Sequence, residues 1–279
     1  MQKVTDISEY RAAIQSAKNR FGTYESNCFC MPDSIRNFIV EDRFYMQEYK
    51  YETAFFVDEG SYYCLYYFRK SGVKLDDFRQ EKPVVVEESN RNGVRDTYLA
   101  SFEPLLMEAG FRLFKTNLQL EIVLRGKQPV LMEKLSVGLR RLDELGLSLA
   151  FSDGKESMRQ AIALWESALD PTDIPWDHRT LGEQDSLLCV LDSENRVVAT
   201  NWWRITGKSA EGRHTVTHPD YYRKGIASLM LVKECLCAME CGVERVLGWS
   251  HDDNLKSLEL HQKAGFSLNG KTCKQYILN

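Results

Sequence analysis

The stretch HTVTHPDYYRKGIASLML, residues 214–231, reads as a strand that runs through a proline turn into a helix opened by a glycine. Leu229, Val232, Leu236 and Met239 recur along one face of the segment beyond Gly225, which predicts a helix packed on one side. Backbone N–H groups in the first turn of a helix lack internal partners, and the aligned peptide dipoles add partial positive charge there. Gly225 removes a side chain where a ligand has to approach the backbone, and Ala227 is nearly as small. Arg223 and Lys224 set two cations at the same place. The pattern points to an anion site of the kind that takes a phosphate. Taken alone, it also fits a plain basic loop whose glycine begins a helix.

Outward from this stretch the chain reads as mixed α/β, with strands flanked by helices. On the N-terminal side, LSLAFSD is a strand, GKESMRQAIALWESAL a helix, and LLCVLDSENRVVATNWWRI a hairpin turning at Ser193-Glu194-Asn195. On the C-terminal side, ERVLGWSHDD is a strand, NLKSLELHQKAG a helix, and the remainder strand-like. The first half repeats the theme. It has a helix near Ile7 to Arg20, two aromatic strands within residues 53–70, a strand at KPVVVEES, a helix from about Asp96 to Ala109, and a long extended stretch. The pattern breaks at Arg125-Gly126-Lys127-Gln128-Pro129, which divides the 279 residues into halves 1–128 and 129–279. Ala109-Gly110-Phe111 and Ala264-Gly265-Phe266 each follow a helix and precede a strand, an echo that suggests two related domains in tandem.

Composition narrows the function. With 36 basic and 40 acidic residues the formal charge is −4, so no global positive field exists to hold a nucleic acid. No apolar run reaches the roughly 18 residues that span a bilayer, and the chain reads as cytoplasmic. Eight cysteines without a CxxC pair read as reduced thiols, and no metal site is expected. Cys237 and Cys241, four apart on a helix, lack a second ligand pair nearby in sequence.

Tyr222-Arg223-Lys224-Gly225-Ile226-Ala227, preceded by His218-Pro219-Asp220-Tyr221, resembles the cofactor motif of the GCN5-related N-acetyltransferase (GNAT) superfamily. Tyr222 stands where that family usually has Arg or Gln. Some thirty residues on, Asn254-Leu255-Lys256-Ser257-Leu258-Glu259-Leu260-His261-Gln262-Lys263-Ala264-Gly265-Phe266 resembles a second family motif, with His261 in place of the usual Tyr. The resemblance implies an α/β (α+β mixed sheet) fold in two tandem GNAT-like domains, each a twisted, mostly antiparallel sheet flanked by helices. The first is a degenerate copy without an acyl-CoA motif. In the second, acetyl-CoA or another acyl-CoA would lie between two splayed strands. Thr215, Val216 and Thr217 would hold the pantetheine arm through their backbone. The turn Tyr222, Arg223, Lys224, Gly225, Ile226, Ala227 and Ser228 would hold the diphosphate, and Asn254 would lie beside the arm from the other side.

The implied reaction is acyl transfer, acetyl first, to a primary amine by direct attack in a ternary complex. An alkylammonium with a pKa near about 10.4 must lose a proton before it attacks, and the leaving thiolate must gain one. His261 occupies the family's acid position, and two readings are open: it donates to the sulfur, or it packs beside the cofactor. For the base, Glu211, His214, Asp252 and Asp253 are candidates, and Asp252 is equally read as a helix cap. Trp202 and Trp203, adjacent on a strand, point to opposite faces as packing residues or as one pocket wall. Trp176, Asp177 and His178 lie in a loop where acceptor sites are often built. In the first half Leu106 and Leu99 fall opposite His261 and Asn254, so that half is expected to have no acyl-CoA site. The acceptor is expected to be a small molecule or a peptide, with neither nucleic acid nor membrane as partner, and the oligomeric state stays open. The alternative is a catalytically silent acyl-CoA-binding sensor or regulatory protein.

Overall fold

A computed structural model describes residues 1–28, 32–89, 102–152, 154–174 and 181–279. The first elements are β1 (Gln2–Lys3), α1 (Ile7–Phe21), β2 (Tyr24–Ser26), α2 (Pro32–Val40), β3 (Phe44–Glu48), β4 (Glu52–Asp58), β5 (Tyr63–Lys70) and β6 (Val84–Ser89). A helix at residues 102–108, here α3, and β7 (Arg112–Val123) come next. They lead to α4 (Gln128–Glu144), β8 (Ser148–Phe151), α5 (Lys155–Ala168), β9 (Asp185–Leu191), β10 (Val197–Thr206) and β11 (Ser209–Thr217). The last elements are α6 (Ile226–Glu240), β12 (Arg245–His251), α7 (Leu255–Ala264) and β13 (Ser267–Leu278). The chain folds into two compact units, one made of Met1–Thr116 together with Lys271–Asn279, the other of Asn117–Gly270. This division differs from the sequence halves 1–128 and 129–279. Residues Cys273–Leu278 pair antiparallel with β6, a partner that no local pattern reveals.

In the first unit the strands run in the order β1, β3, β4, β5, β6, β13, with β2 added on β5. All of these pairs are antiparallel except β5 with β6. Strand alternation sends Phe55 and Val57 of β4 into a core with Ala13 and Ala17 of α1, while Ala54 and Phe56 join Phe102, Leu106 and Phe111 on the other face. β4 is buried on both faces, so it reads as a nearly continuous apolar run. Tyr62, Tyr63, Tyr67 and Phe68 are core residues.

The second unit orders its strands β8, β9, β10, β11, β12, β7. α5 covers one face, where Trp165 stacks on Trp202 with ring centres 5.3 Å apart. The other face carries Trp203, Ala210 and Val246 against Leu229, Met230 and Leu142 of α6 and α4. The two tryptophans do point to opposite faces, and both are packing residues.

The AGF echo has one physical cause in both units. Gly110 and Gly265 take positive φ, 91° and 111°, immediately after a helix. Phe111 N–H then donates to the Leu106 carbonyl, and Phe266 N–H to the His261 carbonyl. Both phenylalanines are buried. The units differ at the link after the last antiparallel hairpin strand. In the second unit β11 leads through a turn into α6, whereas residues 71–83 between β5 and β6 contain no helix.

α4 approaches α6 closely because Gly138 has no side chain: a Cβ there would lie 2.6 Å from Leu229 Cδ1. Replacing a helix-interior glycine by a larger residue ordinarily gains backbone stability. Gly138→Val is expected to lose about 1–3 kcal/mol instead, through overpacking. Thermal denaturation of the two proteins checks this, and an unchanged or raised midpoint contradicts the close packing.

Candidate functional site

β11 and β12 are parallel neighbours only over Ser209–Glu211 and Arg245–Leu247. Beyond Glu211 and Leu247 they no longer pair, and the β11 edge from Gly212 to Thr217 has no strand partner on that side. On its other edge β11 stays paired with β10, but the register shifts between Trp202, opposite His214, and Trp203, opposite Gly212. Arg213 is the extra residue of this bulge. A bulge increases local twist and bends the strand that carries it, so it is placed to turn β11 away from β12. The unpaired edge leaves alternate backbone N–H and C=O groups facing a gap.

The end of β11 leads into the predicted turn. Asp220 N–H reaches His218 Nδ1 at 3.4 Å, and a single 3-10 turn spans Pro219–Tyr221. Tyr222 is exposed at 55%. Arg223 and Gly225 both have positive φ, 61° and 81°, so the backbone loops back on itself before α6 starts at Ile226. Leu229 is the first residue of α6 to donate back, to the Gly225 carbonyl at 3.1 Å; the amides of Ile226, Ala227 and Ser228 have no intrahelical acceptor. Lys224 Nζ sits 4.6 Å from the Tyr221 ring centre. A third cation comes from α4: Arg141 Cδ and Nη1 are each 3.8 Å from where a Cβ on Gly225 would be. No carboxylate pairs with Arg141 among the described residues. The turn thus presents amides and three cations, as an anion of two phosphates requires.

The two faces of the fork carry different groups. On the α5 face, Trp249 Nε1 donates to Glu211 Oε1 at 2.8 Å, bridging the two strands where their pairing ends. Two residues along β12, on the same face, His251 Nε2 lies 3.4 Å from Asp173 Oδ1, in the turn after α5. On the α6 face lies His261. Its Nδ1 donates to the Ser257 carbonyl at 2.8 Å, which fixes the proton on that nitrogen. Its Nε2 rests against β12, 2.9 Å from where a Cβ on Gly248 would be. Burial lowers its pKa below the ordinary 6.5, only partly offset by the bond to Ser257, so the ring is neutral near pH 7.

The other candidates fall in distinct places. Val216 is buried among the α5 core residues, while Thr215 Oγ1 donates to Asn201 Oδ1 at 2.8 Å on the opposite side. Side chains thus alternate from His214 to Val216, and His214 packs against the rims of both Trp165 and Trp202 on the α5 side. Asp252 is exposed and does not cap α7. Asn254 is the cap, its side chain accepting from Ser257 N–H at 3.1 Å. Trp176, Asp177, His178, Leu99 and Cys30 lie outside the described residues, and the seven described cysteines form no disulfide with one another. Sequence reading missed Arg141, Trp249 and Asp173. Only Gly138, in the middle of a helical pattern three residues before Arg141, signalled the first; nothing local signalled the others.

A histidine held neutral by burial favours folding above its unfolded pKa, and that contribution is lost as pH falls below about 6.5. His261→Leu, the residue type at position 106, is expected to flatten the fall in unfolding free energy between pH 7 and 5. Denaturant titrations at several pH values measure it, and equal slopes for both proteins contradict the assignment.

Comparisons with known proteins agree with the fold. Residues 154–266 match the model of the Acetyltransferase (GNAT) family. A GCN5-related N-acetyltransferase from Sphaerobacter thermophilus superposes with a TM-score of 0.53 at 12% identity, covering 96% of this chain and 90% of that one. A GCN5-related N-acetyltransferase from Kribbella flavida gives 0.53 at 14%, covering 88% and 93%. A tandem GNAT protein from the clavulanic acid biosynthesis pathway gives 0.52 at 11%, covering 82% and 78%. No curated protein matches the sequence. Among the described residues no helix is long and apolar enough to cross a membrane. The chain carries two GNAT-like folds in tandem, and residues 154–266 match the GNAT acetyltransferase family model.

Proposed function

We propose that the second unit is an acyl-CoA-dependent N-acyltransferase that passes acetyl from acetyl-CoA to a primary amine by direct attack in a ternary complex, acting in the cytoplasm. The observation that carries this reading is the turn after β11. There the amides of Ile226 to Ser228 converge with Arg223, Lys224 and Arg141 beside a glycine of positive φ. These groups fit a diphosphate, and the unpaired edge of β11 at Thr215, Val216 and Thr217 fits the amides of a pantetheine arm. Exposed Tyr222 leaves the charge to Arg223 and Arg141. Asn254 keeps its side-chain oxygen on its own helix, so any contact it makes to the arm uses its Nδ2.

When bound, acetyl-CoA supplies the acyl group as a thioester. The chain's part is to hold it and to manage protons. Glu211 faces the α5 side with one carboxylate oxygen on Trp249, so the other is available to receive an ammonium and take its proton. Asp252 and Asp253, exposed beyond β12, are the remaining acidic candidates for that step. His261 lies on the opposite face of the sheet, as an acid for the departing sulfur should if the amine arrives from the Glu211 side. An amine acceptor, a small molecule or a peptide, meets acidic groups on that side in Glu211 and Asp173. In the first unit the helix-free link at residues 71–83 offers no helix N-terminus for a diphosphate, consistent with one acyl-CoA site per chain.

One observation favours the second reading, a catalytically silent acyl-CoA binder. His261 is neutral, its proton is committed to Ser257, and its other nitrogen packs on β12. Such a ring has little to donate.

Calorimetry with acetyl-CoA on the full chain is expected to show one site. Arg141→Gln should weaken it about tenfold, ~1.4 kcal/mol, through loss of a charged contact. Thiol release in the presence of an amine panel (lysine, spermidine, tyramine and a tripeptide) then separates the readings. Turnover that falls about 100-fold in Glu211→Gln supports the transferase. Binding without release on any amine supports the silent binder, and no binding refutes both.

A further inference from the structure

Glu234 is a carboxyl group in the wrong place for a helix that merely packs on a sheet. It lies on α6 and is 1% exposed. One of its oxygens, Oε2, accepts from Asn201 Nδ2 at 2.8 Å, and the other, Oε1, is buried with no partner. Asn201 in turn accepts from Thr215 Oγ1 at 2.8 Å, so a hydrogen-bonded chain runs from α6 through β10 to the splayed part of β11. The unpartnered oxygen points to the fork: a Cβ on Gly212 would lie 3.5 Å from it and 3.6 Å from the Leu247 carbonyl of β12. Gly212 is the first β11 residue past the pairing with β12, next to the bulged Arg213.

We propose, on the acyl-CoA reading above, that Glu234 is a positioning residue for the acyl-CoA arm. As a neutral acid it holds Asn201, and through it Thr215, so that β11 keeps its course past the fork; ionisation leaves the bond from Asn201 in place but puts an unpaired charge on the oxygen behind Gly212, which displaces β11 there.

The surroundings leave the carboxyl few ways to carry charge. Burial pushes its pKa up to about 8, against which only the Asn201 amide works. β10 contributes neutral Asn201, β11 contributes Gly212 and neutral Thr215 beside Arg213 and Glu211, and β12 contributes a backbone carbonyl. On its own helix the neighbouring Cys235 is a buried thiol pushed well above the physiological range, partly by Glu234 itself, with Lys134 of α4 acting the other way. His261 of α7, behind Gly248, is already neutral above about pH 6.5. None of these supplies a cation in contact with the carboxylate. An ionised Glu234 is therefore a buried charge with half its hydrogen bonding missing, directly behind the strand that would carry the arm.

The test is acetyl-CoA affinity of the full chain by calorimetry at pH 7 and pH 9, in the wild type, Glu234→Gln and Thr215→Val. Glutamine reproduces the neutral acid, with one acceptor oxygen and one donor, and cannot ionise. The wild type is expected to bind about tenfold more weakly at pH 9 than at pH 7, whereas Glu234→Gln should show a ratio near one. Thr215→Val cuts the chain at β11, so it should bind more weakly at pH 7. Unfolding free energies read alongside should fall with pH between about 4.5 and 8 in the wild type and less so in Glu234→Gln, since a carboxyl with a raised folded pKa stabilises only while protonated. An equal pH step in the wild type and Glu234→Gln, or wild-type binding by Thr215→Val at both pH values, overturns this inference alone. A wild type that binds no acetyl-CoA at either pH overturns the acyl-CoA reading on which it rests.

Discussion

The second unit is organised by a pairing that stops. β11 and β12 run together for three residue pairs and then part, and the proposed acyl-CoA site depends on that interruption. Backbone polar groups that a sheet would normally satisfy internally are left on the β11 edge. The turn beyond them is sharp, with positive φ at Arg223 and Gly225, and the helix that starts there begins with amides that have no intrahelical acceptor. A continuous ladder would bury all of this. The bulge at Arg213 and the bridge from Trp249 to Glu211 sit at the point where the ladder ends, one on the strand that bends and one across the two strands.

Opposite faces of the fork are built from different chemistry because they belong to different layers. Strand alternation sends Glu211, Trp249 and His251 toward α5 and the turn after it, where carboxylates remain partly solvated. The same alternation sends Thr215, Gly212 and Gly248 toward α6 and α7, where Glu234 and His261 are stripped of water and held neutral. The two faces therefore differ in charge and hydration: carboxylates near solvent on one, buried neutral groups on the other.

Much of this was legible in the sequence, and the remainder was hidden for identifiable reasons. Gly225 and the strand and helix around it showed the turn, because a glycine of positive φ and a shift from period two to period 3.6 are local signals. The AGF repeat exposed the tandem arrangement, because the same helix C-cap recurs with the same buried phenylalanine. α2, β2 and β3 left no clear mark: β2 is three residues long and only half-buried, and β3 is buried mainly at Phe44. The helix-free link at residues 71–83 was equally unmarked, since the absence of an element has no periodicity. Arg141 over Gly225, Asp173 beside His251, and Glu234 under Gly212 depend on approaches between elements far apart in sequence, and a lone Arg, Asp or Glu in a periodic pattern reads as solvated surface.

Because Tyr276, Ile277 and Leu278 pack in the cores of the first unit, that unit is assembled from the earliest and the latest stretches of the chain. During synthesis its sheet waits, one strand short, until about 150 intervening residues have been made. The partner for β6 arrives only then, across a long loop whose closure is entropically costly, and meanwhile an open strand edge stands exposed to misplaced pairing. Co-translational folding should therefore complete the second unit before the first, the reverse of the order in which the ribosome delivers most tandem domains.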